Sequence, residues 1–228
     1  MSKKILTVAI LRFPGTNCEF DTQYAFEKLG HITKIVWHEE TSLPENIDLV
    51  VVPGGFSYGD YLRSGSIARF SPIMKAVIKY AGNKGKILGI CNGFQILTEA
   101  GLLPGALKRN NNLHFISKYQ TLRVINNNNT FLNQCDKGEV LNIPVAHADG
   151  NYYIDEAGFS ELEKNEQILL RYSDKKGNNI VLNGSVDSIA GICNKEKNIF
   201  GLMPHPERAL ELILGSDDGI KMLQGFEK

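Results

Sequence analysis

Unbroken runs of apolar residues recur through the first half of the chain. Residues 5–11 and 47–52 are rich in β-branched side chains, residues 86–90 form another short apolar run, and residues 32–37 also read as a strand. A strand that is covered on both faces lacks the apolar and polar alternation of a half-exposed strand, and such strands are typical of parallel sheets. The runs at residues 5–11 and 47–52 therefore predict a buried, mostly parallel sheet, to which the other two strands belong.

Apolar residues at helical spacing lie between and after these runs. In the first such stretch we expect Tyr24, Ala25 and Leu29 to share one helical face, with Gly30 ending the helix. The spacing predicts helices over residues 21–29, 66–81 and 94–103. Strands that alternate with helices indicate a doubly wound α/β architecture, in which helices flank the sheet.

The pattern changes after Gly105. Apolar and polar residues alternate over residues 119–125, and the tract from Asn126 to Asn129 then predicts the tip of a β-hairpin. Further short strands are predicted over residues 140–146, 168–172, 189–193 and 199–203. We expect some antiparallel strands in this C-terminal half. Because neither an internal repeat nor a linker interrupts the chain, we expect a single domain over residues 1–228.

Charge and cysteine content narrow the classes of function. The chain has 25 basic and 25 acidic side chains, and this balance argues against a nucleic acid or a membrane surface as its partner. The apolar run at residues 5–11 is too short for a signal or membrane segment, and Arg12 ends it. The four cysteines lack Cys-x-x-Cys spacing, so we expect no metal site, no disulfide framework and a cytoplasmic location.

Cys91 lies at a position that favours reaction over packing. It is the centre of a Gly-x-Cys-x-Gly pattern between a predicted strand and a predicted helix, with Gly89 and Gly93 on either side. This is the pattern of a nucleophile elbow with sulfur in place of oxygen, and the helix start is expected to stabilise the thiolate. The alternative is that Cys91 is a small buried apolar residue, which is the usual role of a lone cysteine.

A base for such a thiol is found in Met203-Pro-His-Pro-Glu207, which follows the last predicted strand. The two prolines stiffen the segment around His205, and in an extended chain His205 and Glu207 project to the same side. A carboxylate beside an imidazole orients the ring and stabilises the imidazolium. Taken alone, the segment is equally compatible with a surface histidine and a capping glutamate.

Glycines after another predicted strand complete a candidate site. Gly54 and Gly55 follow the run at residues 47–52, so they are expected at the same sheet edge as Cys91. Their unobstructed amides, together with the amide of Asn92, could hold an oxyanion. An ordinary turn after a strand explains Pro-Gly-Gly equally well.

Taken together, these motifs resemble the class I, triad-type glutamine amidotransferases, whose fold is flavodoxin-like. They are more specifically similar to those of the glutaminase subunits of phosphoribosylformylglycinamidine synthases. The segments that carry this resemblance are Phe13 to Cys18, Trp37 to Ser42, Pro53 to Arg63, Gly89 to Leu97, Arg109-Asn110 with Phe115, Asn183 to Val186 and Met203 to Arg208. The resemblance runs through nearly the whole chain.

The resemblance implies roles for individual residues. Cys91 would be the nucleophile, His205 the base and Glu207 its partner, and Gln95 would contact the substrate glutamine. One segment departs from the family pattern, because residues 147–150 read His-Ala-Asp-Gly where the family usually has His-Gly-Glu-Gly.

The resemblance also implies partners. Ammonia released from glutamine would pass to a synthetase subunit, which uses ATP in de novo purine biosynthesis. A small accessory subunit would accompany the synthetase. This chain has no Gly-x-x-x-x-Gly-Lys-Ser/Thr motif, so ATP and Mg²⁺ are expected on the synthetase and no cofactor on this chain.

Asp60 and Arg63, which follow the glycine turn, are expected to serve the partner interface or to organise the glutamine site. A solvated loop is the alternative for this pair.

Two other classes of protein remain open at this point. One is a cysteine hydrolase or stress protein with a similar elbow, although such proteins usually lack the late His-Pro-Glu segment. The other is a non-catalytic module kept for assembly, for which loss of the triad residues would be the signature. A thiol nucleophile with base and orienting carboxylate favours the glutaminase, and Cys18, Cys135 and Cys193 are then expected to be dispensable.

Overall fold

The fold is that of a computed structural model, which describes residues 4–227. Its strands are β1 Thr7–Arg12, β2 Ile32–Trp37, β3 Leu49–Val52, β4 Lys86–Ile90, β5 Ala106–Lys108, β6 Ile116–Val124, β7 Val140–His147, β8 Asn151–Tyr153, β9 Ile168–Tyr172, β10 Ile189–Cys193 and β11 Ile199–Leu202. Its helices are α1 Glu19–Lys28, α2 Pro72–Gly82, α3 Asn92–Glu99, α4 Glu156–Lys164 and α5 Gly219–Gln224.

One nine-stranded sheet forms the centre of the molecule, in the order β2-β1-β3-β4-β11-β10-β9-β6-β7. The first five strands in this order pair in parallel, and the remaining four join them by antiparallel pairing. A small separate sheet pairs β5 with β8. The prediction of a mostly parallel sheet with antiparallel strands in the C-terminal half is confirmed.

The parallel half of the sheet explains the unbroken apolar runs. Every residue of β3 and β11 is buried, and so are all but the first residue of β4. The amphipathic helices α2 and α3 bury apolar side chains such as Met74, Val77 and Phe94. Because parallel strands end at the same edge, the segments that follow β1, β3, β4 and β11 are brought together at that edge.

Two helix predictions were wrong in detail. Ala25 is fully buried in α1, but Tyr24 is 52% exposed and its hydroxyl contacts Glu211. The predicted helix over residues 66–81 is divided, with a 3-10 turn at Ala68–Phe70 and α2 beginning at Pro72. A proline lacks the amide proton that a helix interior uses, so it is tolerated only at the first turn. Phe70 is consequently 72% exposed.

The prediction of a hairpin tip at Asn126 to Asn129 was also wrong. Strands β6 and β7 do pair as antiparallel neighbours, but residues 125–139 connect them. The asparagine side chains fold this connection, since Asn129 Oδ1 accepts bonds from the amides of Phe131 and Leu132 at 3.0 and 2.9 Å. Phe131 then enters the core against Phe200 and Phe226.

Some elements were not predicted from the sequence, namely the short strands β5 and β8 and the helices α4 and α5. Helix α4 begins after Asp155, whose carboxylate accepts a bond from the amide of Gly158 at 2.8 Å. Within residues 4–227, every helix is too short or too polar to cross a membrane.

Candidate active site

Cys91 occupies a sharp turn between β4 and α3. Its backbone φ and ψ are 51° and −107°, which places a non-glycine residue in a strained region. The flanking glycines permit this turn, because a Cβ added at Gly93 would lie 1.8 Å from the carbonyl oxygen of Val52. The predicted elbow is therefore present, and it presents the thiol at the carboxyl edge of the sheet.

His205 and Glu207 lie beside this thiol at the end of β11. The imidazole Nδ1 of His205 donates to Glu207 Oε1 at 2.7 Å, and both side chains are buried. Burial alone would lower the pKa of His205. The negative charges of Glu207 and Cys91 outweigh that effect and hold its pKa well above the ordinary value. The pair is thus arranged to keep a proton on Nδ1 and to stabilise an imidazolium.

The His205 ring interacts with the thiols of Cys18 and Cys91, although no hydrogen bond of ideal geometry reaches its Nε2, and Glu207 Oε2 has no hydrogen bond among the described residues. When the ring is neutral, Nδ1 keeps its proton against Glu207, and Nε2 is the position that takes up and releases the second proton. A cavity of about 150 Å³ borders Cys91 and His205, and Phe56, Phe115 and Arg208 form part of its wall. This cavity gives a small substrate access to both the thiol and the base.

The glycine turn after β3 closes tightly over these groups. A Cβ at Gly54 would lie 2.8 Å from Cε1 of His205, and Gly55 has φ of 144° with Thr16 and Asn17 packed against it. Asn92 is the first residue of α3, a position whose amide has no acceptor within its own helix. The structure therefore brings Gly54, Gly55 and Asn92 to the nucleophile, and their role as oxyanion donors stays a prediction.

Gln95 belongs to a buried network of amides on the other side of Asn92. Its Nε2 donates to the carbonyl of Asp149 at 2.7 Å, and its Oε1 accepts from Asn92 Nδ2 at 2.8 Å. Asn92 Nδ2 also donates to Asp60 Oδ1 at 3.1 Å. The network links the helix start behind the nucleophile to the segment at residues 147–150, where the chain departs from the family pattern.

Asp60 and Asp149 place two carboxylates near each other in this network. Ser64 Oγ donates to Asp149 Oδ2 at 2.7 Å. Burial raises the pKa of Asp60 to about 6, with a further contribution from the negative charge of Asp149. Asp60 is thus tied to the residue that follows the nucleophile, which favours an organising role over that of a solvated loop residue.

Arg63 has a different environment from Asp60. Its guanidinium pairs with Glu99 at the end of α3, with Nε and Nη2 donating at 2.5 and 2.6 Å, and its side chain is 64% exposed. The structure does not bring Arg63 to the nucleophile. The ion pair with Glu99 instead fixes the loop to α3, and Arg63 lies on the rim of the molecule.

Cys18 is a residue of the site that the sequence analysis missed. Its sulfur, a ring nitrogen of His205 and a carboxylate oxygen of Glu207 lie within 4.8 Å of one another, which makes them a potential set of metal ligands. Arg208 Nη2 donates to this sulfur at 3.2 Å. Cys135 and Cys193 lie elsewhere in the core, where burial raises the pKa of each thiol to about 12. Only the fold distinguishes Cys18 from them.

His147 was also missed. Its Nδ1 contacts Asn110 Oδ1 at 3.2 Å, and the same oxygen accepts from the amide of Gly150 at 3.0 Å. Burial and the nearby charge of His205 lower the pKa of His147 to about 4, so its imidazole is neutral. Since the Asn110 oxygen is an acceptor, the proton of His147 lies on Nδ1 and Nε2 offers an electron pair. The sequence pointed to this segment only through the departure from the family pattern at residues 147–150, and that departure by itself assigns no role to His147.

Known proteins are similar to this chain over nearly its whole length. Residues 6–218 match the family model of the CobB/CobQ-like glutamine amidotransferase domain. A relative from Sulfurimonas denitrificans is 68% identical over 221 residues, covering 97% of this chain and 99% of the relative. A relative from Campylobacter jejuni is 60% identical over 221 residues, covering 97% and 96%. Both are named phosphoribosylformylglycinamidine synthase subunit PurQ.

A solved structure is similar as well. A chain in the structure of PurLQS from Thermotoga maritima superposes with a TM-score of 0.87 at 41% sequence identity, covering 98% of this chain and 97% of that chain. The similarity therefore extends to the elements that carry the elbow, the histidine segment and the glycine turn.

Proposed function

The chain belongs to the CobB/CobQ-like glutamine amidotransferase family, and from this premise we propose that it is the glutaminase subunit of a phosphoribosylformylglycinamidine synthase. It hydrolyses glutamine to glutamate and supplies the ammonia to a synthetase subunit. The near-complete match to proteins of that name supports the acceptor reaction. The observation that carries the hydrolytic half is the elbow thiol of Cys91 beside the buried pair of His205 and Glu207.

The reaction begins with attack of the Cys91 sulfur on the side-chain carboxamide of glutamine. His205 Nε2 takes the thiol proton and returns it to the departing nitrogen, so that ammonia leaves and a glutamyl thioester forms. His205 then removes a proton from water, which attacks the thioester and releases glutamate. Glu207 keeps the Nδ1 proton in place throughout and stabilises the imidazolium between these steps.

Charge that develops on the carbonyl oxygen needs donors close to Cys91. We assign the amides of Gly55 and Asn92 to this role. Because Gly54 has no side chain, it leaves room for the substrate and for the imidazole of His205. Gln95 is held by Asp149 and Asn92 and is assigned to the amino-acid portion of glutamine. Donors fixed by a helix start and a tight turn need little reorganisation as charge develops.

The ammonia acceptor reaction takes place on a partner. The synthetase subunit converts formylglycinamide ribonucleotide to formylglycinamidine ribonucleotide with ATP, and a small accessory subunit completes the complex. We assign the ATP and Mg²⁺ to the synthetase. The similar chain from Thermotoga maritima comes from a structure of PurLQS, and this supports the set of partners. We place the complex in the cytoplasm, where the four free cysteines stay reduced.

The loop that follows the glycine turn is assigned to the synthetase interface. Tyr58, Asp60 and Leu62 all have positive φ, between 53° and 70°, in a segment of five residues. Leu62 is 92% exposed and Tyr61 is 73% exposed. A strained backbone conformation persists only where surrounding contacts hold it in place. In this loop, the hydrogen bond between Asp60 and Asn92 is one such contact. A partner that covers Tyr61 and Leu62 would thereby act on the helix start behind Cys91.

The deciding experiment is synthesis of formylglycinamidine ribonucleotide by the reconstituted complex, with glutamine compared against ammonium as the nitrogen source. We expect both sources to work and glutamine to release one glutamate for each product. A complex that uses ammonium but never glutamine would refute the glutaminase assignment. That result would support the alternative of a non-catalytic assembly module, although the intact triad does not favour this alternative. Glutamate release without any transfer to the acceptor would instead favour an independent cysteine hydrolase.

A further inference from the structure

The segment Trp37 to Ser42 carries part of the family resemblance, yet the proposed reaction uses none of its residues. Within it, His38 follows β2 and is fixed by its own backbone. The amide of His38 donates to the carbonyl of Arg12 at 2.9 Å, and its carbonyl accepts a bond from the amide of Ile73 at 3.2 Å. Its ring lies edge-on to the ring of Tyr58, with centroids 5.5 Å apart. His38 is therefore a fixed point between the ends of β1 and β2 and the start of α2.

Tyr58 connects this fixed point to the loop that follows the glycine turn. Its hydroxyl lies 2.8 Å from Nδ1 of His38 and 2.9 Å from Oγ of Ser71. A hydroxyl can donate one bond while it accepts another, so both contacts are satisfied together. Tyr58 has φ of 54° and ψ of 28°, a left-handed conformation that is uncommon for a residue with a side chain. Contacts must hold such a conformation, and the two bonds of the hydroxyl do so here.

The backbone before Tyr58 leads directly to a proposed oxyanion donor, the amide of Gly55. The three amides that follow Gly55 donate in turn to the carbonyl of Gly15, to Asn92 Oδ1 and to the carbonyl of Pro14, at 2.9, 3.1 and 2.6 Å. The amide of Gly55 itself has no acceptor among residues 4–227, so it is free to donate to a substrate oxygen. The bonded segment that ends at Tyr58 thus helps to set the direction of this amide.

We propose that His38, Tyr58 and Ser71 are positioning residues for the glutaminase reaction, which hold the amide of Gly55 where negative charge develops on the substrate oxygen. None of these three residues lines the cavity at Cys91, so each acts through the loop and not by contact with glutamine. Donors that are fixed before charge develops need no reorganisation during the reaction. The inference rests on the proposed function and adds to it the residues that orient one of its oxyanion donors.

Two reactions of Cys91 separate this role from a general role in folding. Attack on glutamine places negative charge on a carbonyl oxygen. Alkylation by iodoacetamide displaces iodide at a methylene carbon, and no such charge forms. Because both reactions need the same thiolate, a misplaced amide of Gly55 should slow only the attack on glutamine, whereas a disturbed triad should slow both reactions.

The experiment uses the reconstituted complex with this chain at saturating concentration, so that weaker assembly does not limit the rate. Glutamate release gives kcat and KM, and mass spectrometry of the peptide that contains Cys91 gives the rate of alkylation. The variants are Tyr58→Phe, His38→Ala and Ser71→Ala, each with a melting curve. His38→Asn keeps a polar atom near the position of Nδ1 and tests for rescue. Tyr80→Phe, which loses a hydroxyl contact to backbone away from this cavity, is the matched control.

We expect Tyr58→Phe to lower kcat by about 10- to 100-fold and to change KM by less than about twofold, because the donor acts mainly on the transition state. Alkylation of Cys91 should stay within about twofold of wild type, since the thiolate is not affected. His38→Ala and Ser71→Ala should lower kcat in the same way, and His38→Asn should recover most of the loss. Adding His38→Ala to Tyr58→Phe should cause little further loss, because both changes remove the same bond.

An unchanged kcat in both Tyr58→Phe and His38→Ala would overturn the proposal. A parallel loss of glutamate release and alkylation would also overturn it, since the defect would then lie in the triad or in folding, and so would a rise in KM at constant kcat. Ser71→Ala leaves Tyr58 intact and decides the question if Tyr58→Phe does not fold. A wild-type complex that releases no glutamate would refute the proposed function itself, which is a different result from these three.

Discussion

At the scale of single residues, the site separates two kinds of cysteine. Cys91 is held at φ 51° on the elbow, beside an imidazole whose second nitrogen is bound to Glu207. Cys135 and Cys193 have pKa values raised to about 12, mainly by burial, and neither lies on the elbow. Reactivity of a thiol depends on the thiolate and on a nearby base, so the structure favours Cys91 over Cys135 and Cys193 as the nucleophile.

Replacing Cys91 with alanine should abolish glutamine-dependent synthesis in the complex while ammonium-dependent synthesis survives, because only the ammonia source is removed. The measurement is product formation with each nitrogen source, with Cys193→Ala as the control. Equal loss of both activities would show that Cys91 contributes to assembly and not to chemistry.

Glu207→Gln should lower the turnover of glutamine by about 10²- to 10⁴-fold with little effect on folding. The amide keeps the shape of the side chain but loses the charge that stabilises the imidazolium of His205 and selects its tautomer. Glutamate release and a melting curve are measured together, with exposed Glu163→Gln as the control. Unchanged turnover in Glu207→Gln would remove this residue from the triad.

At the scale of elements, the short loop after β3 joins the outer surface to the start of α3. Asp60 accepts a bond from Asn92 at 3.1 Å, and Arg63 pairs with Glu99 at the other end of the same helix. The loop therefore holds α3 at both of its ends, while its tip at Tyr61 and Leu62 is exposed.

Asp60→Asn should stabilise the isolated chain near pH 7.5 and leave it unchanged below about pH 4. The pKa of Asp60 is raised from 3.8 to about 6 in the fold, mainly by burial. The folded chain then binds more protons than the unfolded chain between these values, so the free energy of unfolding falls as pH rises through that window. We expect a gain of about 1 kcal/mol at pH 7.5, reduced from the full linkage value because water screens a partly exposed group.

Asparagine suits this test because it tolerates the left-handed backbone at residue 60 and keeps an acceptor for Asn92. The measurement is urea unfolding across the pH range, with Asp136→Asn as the control. A stability difference that did not change between pH 4 and 7.5 would show that the carboxyl of Asp60 is not strained by its surroundings.

Arg63→Ala should reduce the stimulation of glutaminase by the synthetase, because it frees the loop from Glu99 at the rim. Folding of the lone subunit should change by less than about 1 kcal/mol, since an exposed ion pair contributes little. Glutamate release is measured with and without the synthetase and its ligands, beside Lys175→Ala, an exposed cation on another turn. An unchanged stimulation ratio would contradict the interface assignment.

At the scale of the whole molecule, the parallel half of the sheet and the antiparallel half contribute to one site. The amide of His205 donates to the carbonyl of Pro144 in β7 at 2.8 Å, and Cys91 Sγ lies 3.6 Å from the carbonyl of Ala146. Strand β7 is the last in the sheet order, so the sheet must curl for this strand to reach the triad. The antiparallel half thus supplies a wall of the site.

Phe131→Ala tests the aromatic cluster that joins the long connection at residues 125–139 to the C-terminal segment. Phe131 is 1% exposed and stacks on Phe226 with ring centroids 5.4 Å apart. Removing the ring should lower the free energy of unfolding by about 3–5 kcal/mol, without changing the turnover of the molecules that remain folded. Chemical denaturation measures the loss, and Phe70→Ala, at a 72% exposed ring, should have little effect. A loss as small as that of Phe70→Ala would contradict the packing role.

Local patterns in the sequence were sufficient for several features. The apolar runs predicted β1, β3 and β4 because a strand buried on both faces must be apolar throughout, whereas β2 is a largely exposed strand at the edge of the sheet. Glycines on either side of Cys91 predicted the elbow because no side chain fits there. The segment around His205 paired it with Glu207 because the two are only two residues apart. Each inference depends on residues that are neighbours along the chain.

Other features were decided only when distant segments met. The proline at residue 72 divided the helix predicted over residues 66–81, and asparagine side chains replaced a hairpin tip with a packed connection. Cys18, His147 and Asp149 carried no local signal, since each acquires its role from contacts with residues far away along the chain. By itself, then, the sequence determined most strands of the large sheet, the elbow at Cys91 and the pairing of His205 with Glu207. The tertiary structure alone decided which further side chains surround them, because sheet order and curl set those distances and local spacing does not.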